Sequence, residues 1–224
     1  MTQFGDIAER LQRVRRQIVD AGGSDVEVLA VTKGHPATLV VAAKQAGLTA
    51  IGENYAQELV SKFAALAGED VEGLAVHFIG QLQTNKVRHL VDLVDVYETV
   101  DRPAIVAELA KRAPGARVLV QVNTTGEASK GGCSPDHVES LVGQARSAGL
   151  AVEGLLTVGP TTGGPEASRP GFHLVRGLCD DLGLATCSMG MSDDFVVAVE
   201  EGSTRVRLGS VLFGVRPAPT PRIR

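Results

Sequence analysis

The sequence predicts a single-domain (β/α)8 barrel, and three observations lead to this fold class. Eight short runs rich in Val, Leu and Ile alternate with helical stretches along the chain, a pattern typical of right-handed βαβ units and a parallel sheet. The length of 224 residues is close to the roughly 250 residues of a usual eight-stranded barrel. The first strand is followed by Thr-Lys-Gly-His-Pro, without the GxGxxG expected there in a doubly wound open sheet, the structural alternative.

Each element of the repeat has its own signal. Apolar residues recur at helical spacing from Ile7 to Ile18, and the chain then reaches Gly22, so an amphipathic helix is predicted over about 3 to 20. The predicted strands span 26 to 32, 48 to 52, 74 to 80, 93 to 99, 116 to 123, 150 to 158, 184 to 189 and 205 to 209. The predicted helices span 36 to 46, 53 to 66, 84 to 91, 102 to 112, 135 to 148, 166 to 182 and 192 to 201. The barrel and its N-terminal helix are assigned to 1 to 216, and 217 to 224 to a loose C-terminal tail.

Composition restricts the classes of protein to which the chain can belong. Hydrophobic residues make up 44% and charged residues 21%, which is typical of a globular domain and excludes collagen-like, coiled-coil and disordered chains. The net charge of -4 provides no bulk attraction toward nucleic acid or an anionic membrane. No apolar run approaches the roughly 18 residues of a membrane span, and the charged N-terminus lacks a signal-peptide core. We therefore expect a cytoplasmic protein with no nucleic-acid or membrane partner. A monomer is also expected, although these observations do not bear on it.

The cysteines and histidines do not form a recognisable metal motif. Cys133, Cys179 and Cys187 are odd in number and lack CxxC spacing, so neither a disulfide framework nor a zinc site is indicated. His77 and the other histidines have no metal-ligand spacing either. We predict reduced thiols and no metal.

Polar residues follow the predicted strands at their carboxyl ends, where a (β/α)8 barrel places its active site. Lys33 follows an otherwise apolar first strand, and burial there would disfavour the charged ammonium and leave an amine able to form a Schiff base. A lysine that only reaches solvent at the barrel rim is the alternative. The other polar residues at these ends are Glu53, Asn54, Gln81, Asn85, Lys86, Asn123, Lys130, Thr157, Ser188, Ser192, Arg207, Gly209 and Ser210.

The loops after strands seven and eight indicate a phosphate site. Ser192 and Ser210 each precede a helix start, and barrels commonly bind phosphate at these loops because free backbone N–H groups face the anion. Ordinary N-capping is the alternative for each serine alone. Arg205 and Arg207 lie two apart on strand eight and point to the same side. Arg207 is nearer the carboxyl end and is the candidate for a ligand contact, whereas Arg205 is expected to be structural or solvated.

The same residues lie in segments that resemble a known family. The segments are AVTKGHP (30 to 36), IGENYAQE (51 to 58), HFIGQLQTNK (77 to 86), VNTTGEASKGG (122 to 132), GLLTVGP (154 to 160), SMGMSDDFVVAV (188 to 199) and GSTRVRLGSVLFGVR (202 to 216). They resemble the pyridoxal phosphate homeostasis protein family, in register over roughly residues 5 to 216. The resemblance implies a single barrel like the N-terminal domain of alanine racemase, a fold type III pyridoxal phosphate site, and no catalytic turnover.

The resemblance also implies a set of contacts with pyridoxal 5'-phosphate (PLP). Lys33 would be the Schiff-base lysine, and Arg207 would face the pyridine nitrogen. The other implied contacts are Ser192, Gly209 and Ser210 to the phosphate, and Asn54 and Met189 to the ring. Lys86 and Lys130 match lysines of the family pattern without an assigned role, and His35 replaces a usual second lysine.

The function implied is reversible storage or delivery of PLP in intracellular homeostasis, with apo PLP-dependent enzymes as acceptors. One alternative is a PLP enzyme of the same barrel type, such as an amino-acid racemase or decarboxylase. Such an enzyme needs a second base, which its relatives take from a further domain that we do not expect here. Tyr55 and Tyr97, which the sequence places at the start of the second helix and the end of strand four, would have to replace it. A class I Schiff-base aldolase, the other alternative, would need a lysine on a later strand and no cofactor.

Overall fold

Eight parallel strands close into a barrel in which each strand pairs with the next along the chain and the last pairs with the first. The structure, a computed structural model, describes residues 6–214, so the predicted tail at 217 to 224 lies outside the described residues. The strands are β1 Glu27–Val31, β2 Ala50–Glu53, β3 Ala75–Phe78, β4 Val96–Val100, β5 Arg117–Val122, β6 Ala151–Thr157, β7 Thr186–Ser188 and β8 Arg205–Leu208. The predicted fold class is confirmed.

Helices follow the strands around the outside of the barrel. They are α1 Ile7–Asp20, α2 Thr38–Gln45, α3 Ala56–Ala65, α4 Thr84–Val87, α5 Pro103–Arg112, α6 Val138–Ser147, α7 Arg169–Asp181, α8 Phe195–Glu200 and α9 Ser210–Phe213. Short 3-10 turns at Pro135–His137 and Pro165–Ser168 lead into α6 and α7. Within residues 6–214 no helix is long and apolar enough to cross a bilayer.

Two predicted helices are shorter than expected. The helix predicted over 84 to 91 ends at Val87, because the following N–H groups bond three residues back, as in a tight turn (His89 to Lys86, for example). The helix predicted from 192 begins only at Phe195. There Asp194 Oδ1 accepts the N–H of Met191 at 2.6 Å, which holds the preceding residues in a loop.

The amphipathic N-terminal helix behaves as its sequence predicts. The apolar stripe of α1 is buried, and the helix packs against α8 and α9. Each fully buried aliphatic side chain contributes about 1.5–3 kcal/mol relative to its exposed state. The helix therefore packs on the outside of the barrel, against the helices that follow β7 and β8.

Charged side chains cross the barrel interior. Arg205 on β8 donates from Nη1 to Glu98 Oε1 on β4 at 3.0 Å. These strands lie on opposite sides of an eight-stranded barrel, so the contact runs through the interior. Arg205 is only 5% exposed; it is structural, and the alternative expectation that it is solvated was wrong because its charge is paired inside the barrel.

The three cysteines are free thiols. Cys179 and Cys187 are buried, and Cys133 is half-buried. Burial raises the pKa of Cys133 to about 11, so this thiol stays protonated and unreactive at neutral pH. The thiols contribute packing and no disulfide within residues 6–214.

Candidate functional site

A cavity of about 500 Å³ opens at the carboxyl ends of β1, β7 and β8. Five of the predicted PLP contacts line it, namely Lys33, Ser192, Arg207, Gly209 and Ser210. The remaining lining residues are Val31, His35, Ile79, Met191, Asp193 and Gly214. One amine, one guanidinium and two hydroxyls thus meet in one cavity although they come from opposite ends of the chain.

Lys33 lies in a tight turn directly after β1. The N–H of His35 donates to the carbonyl of Thr32 at 3.1 Å, and Gly34, the third residue of the turn, has a φ of 74°. A turn with positive φ at this position favours glycine, because a Cβ is strained there. Lys33 is half-buried and lines the cavity, so the turn directs it toward the barrel mouth.

Arg207 is held inside the mouth by three hydrogen bonds. Its Nη1 donates to the carbonyl of Ser188 at 2.7 Å and to the hydroxyl of Ser188 at 2.9 Å. Its Nη2 donates to the carbonyl of Thr157 at 2.7 Å. Burial lowers the pKa of Arg207 from its usual value, but a guanidinium remains charged in proteins. The three hydrogen bonds therefore hold the positively charged guanidinium of Arg207 in one orientation at the cavity.

A buried carboxylate connects this arginine to the rest of the barrel interior. Glu98 accepts the hydroxyl of Ser188 at 2.8 Å and Arg205 Nη1 at 3.0 Å, and it bonds His77 Nδ1 at 2.6 Å. Burial opposes the charge of Glu98, but the His77 hydrogen bond and the two arginines leave the pKa of this carboxyl below its usual range. Ser188 thus bridges the anion and Arg207. Glu98 was not among the predicted site residues, although a glutamate inside a predicted strand was a usable signal.

The remaining predicted contacts lie elsewhere. Asn54 lines a neighbouring cavity of about 230 Å³ together with Lys86. Met189 is fully buried in the core, with its sulfur 3.6 Å from that of Cys187. Lys130 lines a third cavity of about 420 Å³. The ring contacts expected of Asn54 and Met189 stay predictions.

Tyr97 does not reach the barrel mouth. It is the second residue of β4 and 1% exposed, and burial raises its pKa to about 12. Its hydroxyl is buried without a hydrogen-bond partner among the described residues. The expectation that it ends strand four was wrong, because the strand runs on to Val100 and places Tyr97 near its amino end. Tyr55, in contrast, is 56% exposed and lines the cavity that contains Asn54.

His35 and Met191 are among the side chains at the 500 Å³ cavity that were absent from the predicted contacts. His35 packs edge-on against Phe213 of α9, with ring centroids 5.8 Å apart, and covers one side of the cavity. Met191 lines the cavity and is 41% exposed. Both lie within three residues of predicted contacts, so their sequence neighbourhood was the available signal.

Another groove, of about 430 Å³, lies outside the barrel against α1, α2 and α3. Alanines and other apolar side chains predominate in its lining, and none of the described lining residues is a lysine or an arginine. Within residues 6–214 no three His, Cys, Asp or Glu side chains gather as a metal site. The cavity at the strand ends is therefore the candidate site.

Comparison with known proteins places the chain in a family. A family model described as alanine racemase, N-terminal domain, matches residues 4–217. The pyridoxal phosphate homeostasis protein of Pseudomonas aeruginosa is 39% identical, with 96% of this chain and 98% of the relative covered. The chain belongs to the pyridoxal phosphate homeostasis protein family. The member from Schizosaccharomyces pombe is 36% identical over 94% of this chain and 93% of that protein, and the resemblance carried by the sequence motifs is confirmed.

Solved structures of other proteins share the barrel. PipY of Synechococcus elongatus, solved with PLP bound, superposes with a TM-score of 0.80 at 30% identity, covering 93% of this chain and 100% of that one. Alanine racemase of Clostridium difficile matches with a TM-score of 0.68 at 12% identity, covering 94% of this chain and 58% of the enzyme. This second likeness shows the shared fold alone.

Proposed function

We propose that the chain binds PLP reversibly in the 500 Å³ cavity, with Lys33 as the covalent attachment residue, and stores or donates PLP within the cell. The observation that carries the proposal is the convergence of Lys33, Arg207, Ser192 and Ser210 on one cavity. The shared name of the relatives and the PLP-bound structure of PipY support it. We further propose that apo PLP-dependent enzymes accept the PLP and that this protein is a monomer.

The donor set of the cavity fits PLP. A cavity of about 500 Å³ lies within the usual range for small-molecule sites. Ser192 and Ser210 offer hydroxyls to the phosphate. The backbone N–H of Val211, in the first turn of α9, lies 3.4 Å from the hydroxyl oxygen of Ser192 and faces the same place. PLP supplies an aldehyde, with which the neutral Lys33 amine forms a C=N bond as water leaves.

Arg207 favours binding over catalysis. A guanidinium held next to the pyridine nitrogen would oppose protonation of that nitrogen, and an unprotonated ring is a weaker electron sink. A racemase also needs a base on each face of the substrate α-carbon, within hydrogen-bond reach. Tyr97 lies in the core, and Tyr55 lines the neighbouring cavity that contains Asn54, so neither tyrosine lines the cavity of Lys33. We therefore propose that the protein has no catalytic turnover.

Removal of the phosphate group should weaken binding at least about 100-fold. Each charge-assisted hydrogen bond contributes roughly 1.5–3 kcal/mol, and pyridoxal loses several at once. Titration of the protein with PLP and with pyridoxal, followed by absorbance, tests this. Ser210→Ala should reduce the difference between the two compounds, whereas Ser140→Ala, on the exposed face of α6, should not. Equal affinities for the two compounds would refute the site.

Solvent deuterium incorporation distinguishes a carrier from a racemase. PLP-loaded protein should incorporate deuterium at the α-carbon of L-amino acids no faster than free PLP, because Lys33 serves one face only. A panel of L-amino acids in deuterium oxide, analysed by mass spectrometry and chiral chromatography, provides the measurement. Exchange with inversion at about 1 to 1000 per second, the range of ordinary enzymes, would overturn the carrier assignment.

A further inference from the structure

Helix α3 is hydrogen-bonded to the backbone on both sides of Lys33. Lys62 Nζ donates to the carbonyl of Thr32 at 2.9 Å. The N–H of Gly34 donates to Glu58 Oε1 at 2.6 Å. The two peptide groups that flank the candidate attachment residue are therefore both held by side chains of one helix.

These side chains belong to a buried polar cluster that we call the α3 clamp, consisting of Glu53, Glu58 and Lys62. Lys62 Nζ forms an ion pair with Glu53 and donates to Glu58 Oε1 at 2.9 Å. Glu53 also accepts the hydroxyl of Thr32 at 2.6 Å. Lys62 is 5% exposed and Glu53 is fully buried, and Glu53 Oε2 has no hydrogen-bond partner among the described residues. Burial raises the pKa of Glu53 above its usual value, and the Lys62 ammonium and the Thr32 hydroxyl oppose that rise.

Burial of such a polar cluster costs more free energy than attaching the helix to the barrel through apolar side chains. Desolvation of buried ions often outweighs their attraction, and apolar residues of similar size pack a helix as well or better. Apolar side chains cannot, however, hydrogen-bond the peptide groups that flank Lys33. Within the turn itself, a backbone hydrogen bond from His35 to Thr32 connects the two ends. The clamp supplies two further contacts at this position.

We propose that the α3 clamp positions Lys33 for attack on the PLP aldehyde, and that Glu58 is the positioning residue through its contact with Gly34. The inference rests on the proposed function only in taking Lys33 as the attachment residue. In the attachment step Lys33 Nζ bonds to the aldehyde carbon, the C–O bond breaks, and the oxygen leaves as water with both amine protons. A displacement of about 1 Å can slow a positioned reaction about 100-fold. Loss of the clamp contact therefore slows attachment and leaves phosphate binding intact.

Four substitutions distinguish the effect of the Glu58–Gly34 hydrogen bond from the effect of the negative charge on Glu58. Glu58→Ala removes the acceptor, and Glu58→Asp keeps the charge but shortens its reach. Glu58→Gln removes the charge but keeps an oxygen that can accept from Gly34. Glu108→Ala is the matched control, because Glu108 pairs with Arg112 at the same i,i+4 spacing on α5 and is similarly exposed (21% against 27% for the Glu58 side chain).

Two measurements are made on each protein. Borohydride quenching after mixing with PLP, followed by peptide mapping, gives the rate of attachment to Lys33. Equilibrium binding of pyridoxine 5'-phosphate, which has the phosphate but no aldehyde, gives the non-covalent affinity. Glu58→Ala and Glu58→Asp should attach PLP about 10- to 100-fold more slowly, and Glu58→Gln and Glu108→Ala within about twofold of the unaltered protein. The affinity for pyridoxine 5'-phosphate should be unchanged throughout.

Several results would overturn the proposal. Equal attachment rates across the Glu58 series, a Glu58→Gln protein as slow as Glu58→Asp, or a parallel loss of pyridoxine 5'-phosphate affinity would each do so. If Glu58→Ala does not fold, the Asp and Gln variants still show whether the hydrogen bond to Gly34 or the charge of Glu58 controls the attachment rate. An unaltered protein that binds neither compound would instead refute the proposed function, and the clamp proposal with it.

Discussion

Lys33→Ala protein is expected to lose the visible absorbance of lysine-bound PLP completely while it remains folded. The substitution removes the amine that lines the cavity. Lys33 lies in a half-buried turn at the barrel rim, outside the apolar core, so the unfolding temperature should change by only a few degrees. Absorbance spectra of PLP-loaded protein and thermal unfolding are the two measurements.

Borohydride reduction and peptide mass mapping of the unaltered protein complete this test. The reduced label should lie on the peptide that contains Lys33. Lys86→Ala is the matched control, because Lys86 also follows a strand at the barrel mouth but lines the neighbouring cavity; it should retain the absorbance. Label found chiefly on other lysines of the unaltered protein, with none on Lys33, would disprove the assignment.

Glu98→Ala is expected to lower the free energy of unfolding by about 3–5 kcal/mol, the usual result of removing one partner from a buried ion pair. The substitution leaves Arg205 without its interior acceptor and removes the acceptor for the hydroxyl of Ser188, to which Arg207 is bonded. Because domains are stable by only about 5–15 kcal/mol, this loss is a large share of the total.

Urea unfolding followed by circular dichroism measures this effect. Glu153→Ala is the control, since Glu153 forms a surface pair with Arg117 whose side chain is 50% exposed, and exposed pairs contribute about 0–1 kcal/mol. A Glu98→Ala protein within about 1 kcal/mol of the unaltered protein would show that the interior network does not stabilise the barrel.

The same carboxylate should make stability dependent on acid pH. The pKa of Glu98 is lower in the folded protein than its ordinary value of 4.5. Its charge therefore contributes stability that is fully present above that value and is lost as the pH falls through the folded-state pKa. Glu98→Gln should accordingly flatten the acid limb of the stability profile, and an acid limb identical to that of the unaltered protein would contradict the role of this charge.

The barrel, and five of the residues that line the candidate cavity, could be predicted from the sequence. Alternating strands and helices specify a parallel closed sheet, and such a sheet brings all carboxyl strand ends to one side. Residues that follow different strands, such as Lys33, Ser192 and Arg207, therefore had to approach one another, and they line one cavity. Hydrophobic periodicity locates the strands, and the position of a residue just after a strand then predicts that it lies at the barrel mouth.

The pairs of residues that meet inside and around the barrel could not be predicted from the sequence. The contact between Glu98 and Arg205 joins residues 107 apart in sequence, and the hydrogen bond from Gly34 to Glu58 depends on how α3 lies against the turn after β1. The prediction for Tyr97 was wrong because β4 spans Val96–Val100, so that Tyr97 is the second residue of the strand and lies in the core near its amino end. Period-two and helical patterns specify which face a residue occupies, but strand tilt and register across non-neighbouring strands decide what it touches.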